Sequence, residues 1–340
     1  MKTTNILFTC AGRRNYLINY FKEALNGRGK IIAVDNQINA PALIDADLAF
    51  KVPSIYEDSY IEELKKICIE NTVDAIISLN DLELPILSKR KNDLEAIGTK
   101  VIISSEFAID ISFDKWKTYQ FLKSNNLLTP NTYIDINVVS QDLKSGKLDF
   151  PLILKPRWGS ASIGIEIVEN EEELDYAYRL QKIKLTRSIL SRASEEDINS
   201  AILIQEKING TEYGMDVVNN FSGEYFGTFA REKLSMRSGE TDKAVSVINP
   251  ALNDIGERIS KNLKHIGNMD CDVFINGDKI YVLELNPRFG GGYPFSHEAG
   301  INTAAIYIDW INGQQNVDHH NNYKENIAFA KCDNLMRISN

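Results

Sequence analysis

The chain has 340 residues, with 38 Lys plus Arg against 47 Asp plus Glu, a formal net charge of −9 and 43% hydrophobic residues. At roughly 150 residues per domain, this length predicts two or three domains with a substantial core. An acidic surface without a basic stripe repels phosphate backbones and anionic lipid, so nucleic acid and membrane are not expected partners. The N-terminal run Met1 to Cys10 turns polar at Gly12-Arg-Arg-Asn15 before a secretory core is complete, which predicts a cytoplasmic protein. Apolar runs such as Asp74-Ala-Ile-Ile-Ser-Leu79 are strand-sized, far below the roughly 20 residues that cross a bilayer. Strands are expected at Asn5 to Thr9, Lys30 to Asp35, Ala75 to Ser78 and Val101 to Ile103. Between them, Tyr16-Leu17, Tyr20-Phe21 and Ala24-Leu25 recur at helical period, as do Ile61, Leu64, Ile67 and Cys68. This alternation predicts a doubly wound, Rossmann-like α/β domain over about residues 1–105. Its first turn, Thr9-Cys-Ala-Gly-Arg-Arg14, lacks the full G-x-G-x-x-G, which argues against a dinucleotide site despite Asp35 at the end of the second strand.

Ligands of open α/β sheets dock at the carboxyl ends of strands. Here those ends present Cys10 to Arg13, Asp35, Asn80-Asp81 and the nearby Glu83, which makes Arg13, Asn80 and Asp81 substrate candidates. The plainer alternative is that Gly12 makes a tight turn, Asp81 caps a helix, and Arg13 and Arg14 are solvated. Further on, Ser112-Phe-Asp-Lys115 is expected to open a helix with a Ser cap, setting Lys115 where the helix dipole disfavours a cation. Either that helix end is merely exposed, or an anion sits nearby. Glu171 to Asn199 reads as charged helix with a loop near 188–195, and a weakly structured polar end runs from Gln314. The four cysteines form no C-x-x-C, so neither a zinc knuckle nor a disulfide framework is expected. No histidine falls in a metal or Ser/His/Asp spacing, and His319-His320 reads as a solvated feature of the tail.

Four clusters in the second half carry chemistry. Phe150 to Ile165 is a strand ending in Lys155-Pro156 that runs into a loop of Gly159, Ser160, Ser162 and Gly164. Its backbone N–H groups can face phosphate oxygens while Lys155 adds charge, although such a loop is also an ordinary hairpin turn. Ala201 to Val217 is an apolar strand, a glycine turn and an alternating strand. Backbone near Gln205 to Ile208 suits an adenine edge and Glu212 a ribose hydroxyl, the alternative being a hairpin with exposed acids. In Asp272 to Gly292, Asn276-Gly277 is a hairpin signal that returns Asp272 close to Glu284. Glu284 and Asn286 share a strand face, so Asp272, Glu284 and Asn286 form an all-oxygen set suited to Mg²⁺, with Arg288 following to neutralise a transferring phosphoryl group. The structural alternative is a Glu284–Arg288 salt bridge. Finally, Arg231 to Lys243 is a strand leaving into a charged glycine-containing loop, either a substrate cover or a solvated loop.

The order is an early Lys, a strand Lys-Pro with a Gly/Ser loop, Gln205-Glu-Lys-Ile-x-Gly-x-Glu212, then Asp272 followed by Glu284-x-Asn-x-Arg288. It resembles the ATP-grasp superfamily, most closely its carbamoyl-phosphate-synthase-like, carboxylate–amine ligase branch. The resemblance implies a pre-ATP-grasp domain at 1–105, a two-lobed α+β ATP-grasp domain at 106–312 with a small lid lobe at about 125–205, and a tail at 313–340. It implies that Lys115 and Lys155 bind the ATP phosphates beneath the loop Ser160, Ser162 and Gly164, and that Glu206 and Ile208 hold adenine and Glu212 the ribose. Asp272, Glu284 and Asn286 would ligate one or two Mg²⁺ or Mn²⁺ ions. Arg288 would stabilise the phosphoryl group, while Arg231 and the loop Arg237 to Lys243 would face the acceptor and Gly290, Gly291 and Gly292 would let backbone approach its carboxylate. The implied activity is ATP-dependent joining of a small carboxylate to an amine with release of ADP. A homodimer is the default assembly. Carbamoyl-phosphate synthase needs two such units and this chain has one. The alternatives are therefore a single-unit phosphotransferase that stops at the acyl phosphate and a non-catalytic nucleotide- or NAD-binding protein. The last leaves Asp272, Glu284, Asn286 and Arg288 unexplained.

Overall fold

The computed structural model describes residues 3–159 and 164–338. Short runs such as Ile6-Leu-Phe-Thr9 and Ile31-Ile-Ala-Val-Asp35 are buried along their whole length, as strands covered on both faces must be. They form a five-stranded parallel sheet from β1 (Ile6–Thr9), β2 (Ile31–Asp35), β3 (Leu48–Lys51), β4 (Ala75–Ser78) and β5 (Lys100–Ile102), ordered β3-β2-β1-β4-β5. Strand β3 was not legible from sequence: it is four residues long, alternates half-buried with exposed, and sits at the sheet edge. The chain reverses its progression across the sheet between β1 and β4, so a crevice opens at their carboxyl ends. The helix Asn15–Leu25 buries Leu17, Ile18, Phe21 and Leu25 on one face of the sheet, and Tyr60–Glu70 buries Ile61, Leu64, Ile67 and Cys68 on the other.

The helix expected to open at Ser112 begins instead at Lys115. Ser112 lies buried in the preceding helix, Glu106–Phe113, and Asp114 is the cap, its carboxylate accepting from the backbone N–H of Trp116 and Lys117. Asp114 also accepts two bonds from Arg157, so its charge serves both the helix end and the start of the next lobe. That lobe is a four-stranded antiparallel sheet of β6 (Thr132–Tyr133), β7 (Leu152–Pro156), β8 (Glu166–Val168) and β9 (Ile202–Glu206), ordered β6-β9-β7-β8 and backed by the helix Glu171–Leu185.

The largest sheet has six antiparallel strands. These are β10 (Thr211–Asn219), β11 (Tyr225–Arg237), β12 (Glu240–Val247), β13 (Gly267–Asn276), β14 (Lys279–Asn286) and β15 (Ala328–Ala330), in the order β14-β13-β10-β11-β12-β15. Met215, Val217, Ala230, Cys271, Val273 and Leu285 turn one face into a core against the helix Pro250–Leu263, while the residues between them point to the other face. The hairpin at Asn276-Gly277 is tight, with Gly277 at φ +57° where only glycine is unstrained. From that turn the pairing runs to Val273 opposite Val282, and a one-residue register shift there then sets Asp272 opposite Glu284 and Asp270 opposite Asn286.

The polar end is more ordered than its composition suggests. Residues 328–330 pair with Val245, Ala244 and Lys243 at the open edge of β12, and Tyr323 donates to the Ala230 carbonyl. That backbone pairing and hydrogen bond, not local hydropathy, hold it there. Among the described residues no helix is long and apolar enough to cross a membrane.

Candidate active site

Strand alternation places Glu212, Gly214 and Asp216 of β10, Arg231 and Lys233 of β11, Asp270 and Asp272 of β13, and Glu284 and Asn286 of β14 on one face. This face is a mosaic of both signs. Arg231, 1% exposed, donates to Asp216 at 2.6 Å and Asp270 at 2.9 Å. Lys233 lies 2.7 Å from both Glu212 and Asp272. Arg288 donates to Asp81, which arrives from the loop after β4, at 2.6 Å, and lies 3.8 Å from Asp270. Burial opposes charge on Arg231 and Arg288, but Asp216 and Asp270 for the first, and Asp81 and Asp270 for the second, hold both guanidinium groups firmly protonated. Burial pushes the Asp272 carboxyl up to about 7 against the pull of Lys233, with Asp270 and Glu284 adding to the rise.

These groups line a cleft of about 280 Å³ between the large sheet and the carboxyl ends of β1 and β4. Of the residues expected at the site, Asn80, Asp81, Glu212, Arg231, Asp272, Glu284, Asn286, Arg288 and Gly291 line it. Its outer wall is formed by Ile189 and Leu190 of the lobe, which reaches back to the first sheet through Leu82 and through Arg192 stacked on Tyr56. The alternative Glu284–Arg288 bridge is not formed, because Arg288 turns to Asp81; Glu284 instead accepts from Asn286 Nδ2 at 3.2 Å. Nor does Asp81 cap the following helix. Asn80 fills that role of turn acceptor, taking the Leu82 N–H.

Other expectations need correction. Arg13 is exposed, and Arg14 lines the cleft in its place, bonded to Tyr16 at 2.6 Å. Arg237 pairs outward with Asp242 and Asp333, and Lys243 is exposed, so neither lines the cleft; Glu240 and Thr241 of the same loop do. Arg231 lines the floor but does not present itself to an acceptor, since Asp216, Asp270 and Ser296 take its terminal nitrogens. Gly290 and Gly292 make room for the protein's own charges. A Cβ would fall 2.1 Å from Asp270 Cγ at Gly290 and 2.1 Å from Arg231 Nη2 at Gly292.

Lys155 is 9% exposed on β7 and donates to Gln205 at 2.9 Å. Burial drags its ammonium down to about 8; Glu284 resists the fall and Lys115 assists it. Lys115 donates to the Gly159 carbonyl at the mouth of the loop. Glu206 accepts from Asn131 at 2.8 Å, with Ile208 two residues beyond it, and Gly164, at φ +72°, passes its carbonyl to Gln181. Of these expected residues, Lys115, Lys155, Gly164, Glu206 and Ile208, five in all, none lines the cleft itself; Ser160 and Ser162 lie outside the described residues. Sequence reasoning missed Lys233, Asp270, Asp216 and Arg14. The spacing of Arg231-x-Lys233 and Asp270-x-Asp272 was the available signal, since strand neighbours two apart share a face.

At the strand ends, Glu83 is fully buried and accepts from Ser78 at 2.6 Å, Thr9 at 2.7 Å and Tyr60 at 2.5 Å. Burial raises its carboxyl against those hydroxyls. It ties β1 to β4 and is closed to ligand.

Two family profiles match this chain: "PylC-like, N-terminal domain" over residues 6–102 and "ATP-grasp domain" over residues 112–292. The formate-dependent phosphoribosylglycinamide formyltransferase of Prochlorococcus marinus strain MIT 9515 is 25% identical over 266 residues, 76% of this chain and 64% of that protein. The carbamoyl phosphate synthase large chain of Pseudothermotoga lettingae is 24% identical over 287 residues, 81% of this chain and 24% of that protein. The chain thus spans less than two thirds of either. In architecture it is similar to the biotin carboxylase domain of Hydrogenobacter thermophilus 2-oxoglutarate carboxylase, solved with MgADP, ADP and bicarbonate. That match has a TM-score of 0.72 at 16% identity, over 93% of this chain and 71% of that one.

Proposed function

The chain belongs to the ATP-grasp family, and from that premise we propose that it is an ATP-dependent ligase which activates a small carboxylate as an acyl phosphate, releases ADP and joins the acyl group to an amine. The observation that carries this reading is the β13–β14 register, which sets Asp272, Glu284 and Asn286 together in one cleft with Arg288 behind them. The donor set fits Mg²⁺: Asn286 spends its N–H on Glu284 and keeps its carbonyl oxygen free, and Lys233 contacts one oxygen of Asp272. Bound there, the ion would offset charge on the phosphates.

The protein's own groups divide the remaining work. Lys115 and Lys155 bind the phosphates from the lobe side, with Glu206 and Ile208 at adenine and Glu212 at the ribose. A carboxylate oxygen attacks the γ-phosphorus in line, the bond to ADP breaks, and Arg288 faces the charge spreading over the transferred oxygens. The amine then attacks the acyl carbon, its proton passes to solvent and phosphate leaves with the bonding pair. No side-chain nucleophile is required. The buried Leu190 keeps water from that wall of the cleft, protecting the acyl phosphate from hydrolysis. The formate and glycinamide in the formyltransferase's name support a small carboxylate and an amine as the substrate classes here.

The test is incubation with ATP, Mg²⁺ and pooled carboxylates, with hydroxylamine standing in for the amine. Hydroxamate formed with ADP is the expected result. AMP would overturn the mechanism by showing adenylation. Because hydroxylamine captures an acyl phosphate without help from the protein, a parallel run with pooled amines in its place decides the second step, and ADP with no amide there would reduce the activity to phosphotransfer.

Lys155 supplies a second check. Its free ammonium titrates at about 8, and phosphate favours the charged form, so ATP affinity should fall as pH rises from roughly 8 to 10, at most about tenfold per unit. Calorimetry in buffers of different ionisation enthalpy should show a proton taken up on binding in that window. Affinity flat across it would remove Lys155 from the phosphate site.

A further inference from the structure

We infer that Asp309, His319 and His320 form a surface site for a divalent transition cation of the Zn²⁺ class, separate from the Mg²⁺ set of the cleft. Asp309 stands near the end of the helix Thr303–Ile311, and the histidines on the 3₁₀ turn Asp318–His320. Both Nε2 atoms converge on the same carboxylate oxygen, Asp309 Oδ2, His320 at 2.9 Å and His319 at 3.9 Å. One ligand atom from each of the three lies within 4.8 Å of the others. A hydrogen bond from His320 to Asp309 accounts for two of the residues and leaves His319 without a role; a shared cation uses all three.

The groups are held where they are by backbone rather than by chance approach of a loose tail. Asn302 N–H donates to the His320 carbonyl and Asn322 N–H to Gly300, while His320 N–H closes the turn on Val317. Val317 is buried in the core cluster that also contains Ile306, Ile308 and Trp310 of the helix. Both halves of the site therefore belong to one packed unit, and preorganisation of this kind is what a weak three-ligand site needs. Two imidazoles and a carboxylate suit Zn²⁺, with water completing the shell. Mg²⁺ prefers oxygen donors and would not compete. His319 is 63% exposed on its side chain and His320 22%, so an ion has direct access. A bound ion would fasten the turn at 318–320 to the helix, stapling the lead-in of the segment that ends in β15.

The experiment titrates the full chain with Zn²⁺ alone as probe in saturating Mg²⁺, by calorimetry and by thermal midpoint. One equivalent should bind and raise the midpoint. His319→Ala and His320→Ala should each weaken binding about tenfold or more, and Glu284→Gln should leave it unchanged. Absence of Zn²⁺ binding, or a site that survives both histidine changes, would overturn the proposal, as would its loss in Glu284→Gln. Circular dichroism of the histidine variants guards against misfolding, and His319→Ala, altering an exposed side chain, provides the second handle if His320→Ala fails to fold.

Discussion

Glu284→Gln is expected to lower ATP turnover by about 10²–10³-fold or more while leaving the thermal midpoint unchanged or slightly raised. Among the described residues no cation lies within ion-pairing distance of Glu284, and its hydrogen bond from Asn286 survives in glutamine. Its charge repels Asp272, whose carboxyl it helps to raise. Removing that charge relieves this repulsion and gives up the longer-range attraction to Lys155 and Arg288, so the opposing effects offset and the fold stays close to wild-type stability. The check is ADP release measured beside a denaturant unfolding curve on the same preparations. Turnover near wild type would sink the metal assignment; a collapsed fold would show that Glu284 is structural.

Arg231→Met should do the opposite, destabilising the protein by about 3–5 kcal/mol because it strands Asp216 in the floor of the cleft and leaves Asp270 only Arg288, 3.8 Å away. Asp216 has no exposed surface and Asp270 only 14%, so neither can recover its hydration. Against a typical domain stability of about 5–15 kcal/mol, such a loss removes much of the margin. Urea unfolding of the variant measures it, and Arg231→Met combined with Asp216→Asn should recover part of the loss by removing one stranded charge. A cost below about 1 kcal/mol would mean that water reaches Asp216 and that the buried pairing has been misread.

The contrast between these two residues marks what was legible in the sequence. The Asn276-Gly277 turn brings Asp272 back beside Glu284, but its register alone would set Asp272 against Leu283; a one-residue shift between Val273 and Asp272, which carries no local mark, makes the pairing with Glu284, and from there the metal set follows from alternation. Likewise the parallel sheet is written in runs such as Ile6-Leu-Phe-Thr9, whose burial on both faces leaves a local signature. Arg231 carried no such mark. Whether a strand arginine meets substrate or its own carboxylates depends on β10 and β13 lying beside it, pairings that join residues 216, 231 and 270 from three separate stretches. The glycines after Arg288 misled for the same reason: their smallness was visible, and the Asp270 and Arg231 side chains that need it were not. Asp81 reads as a substrate candidate, with a helix cap as the plainer alternative, and neither reading shows its partner Arg288, 207 positions away.

The three residues of β15 have a bearing on solution behaviour as well. Without them, β12 would offer a row of unpaired N–H and C=O groups along Lys243, Ala244 and Val245, an invitation for another molecule to add its own strand. At the other edge, Leu128 covers part of β14 by accepting the Val282 N–H. A short strand that ends quickly and is followed by charged Lys331 and Asp333, each ion-paired back to the β11–β12 loop, covers the β12 edge while offering little new edge of its own. The polar end thus works as a guard against self-assembly, and its low hydropathy suits that task, because a longer apolar cover would only have moved the sticky edge one strand outward.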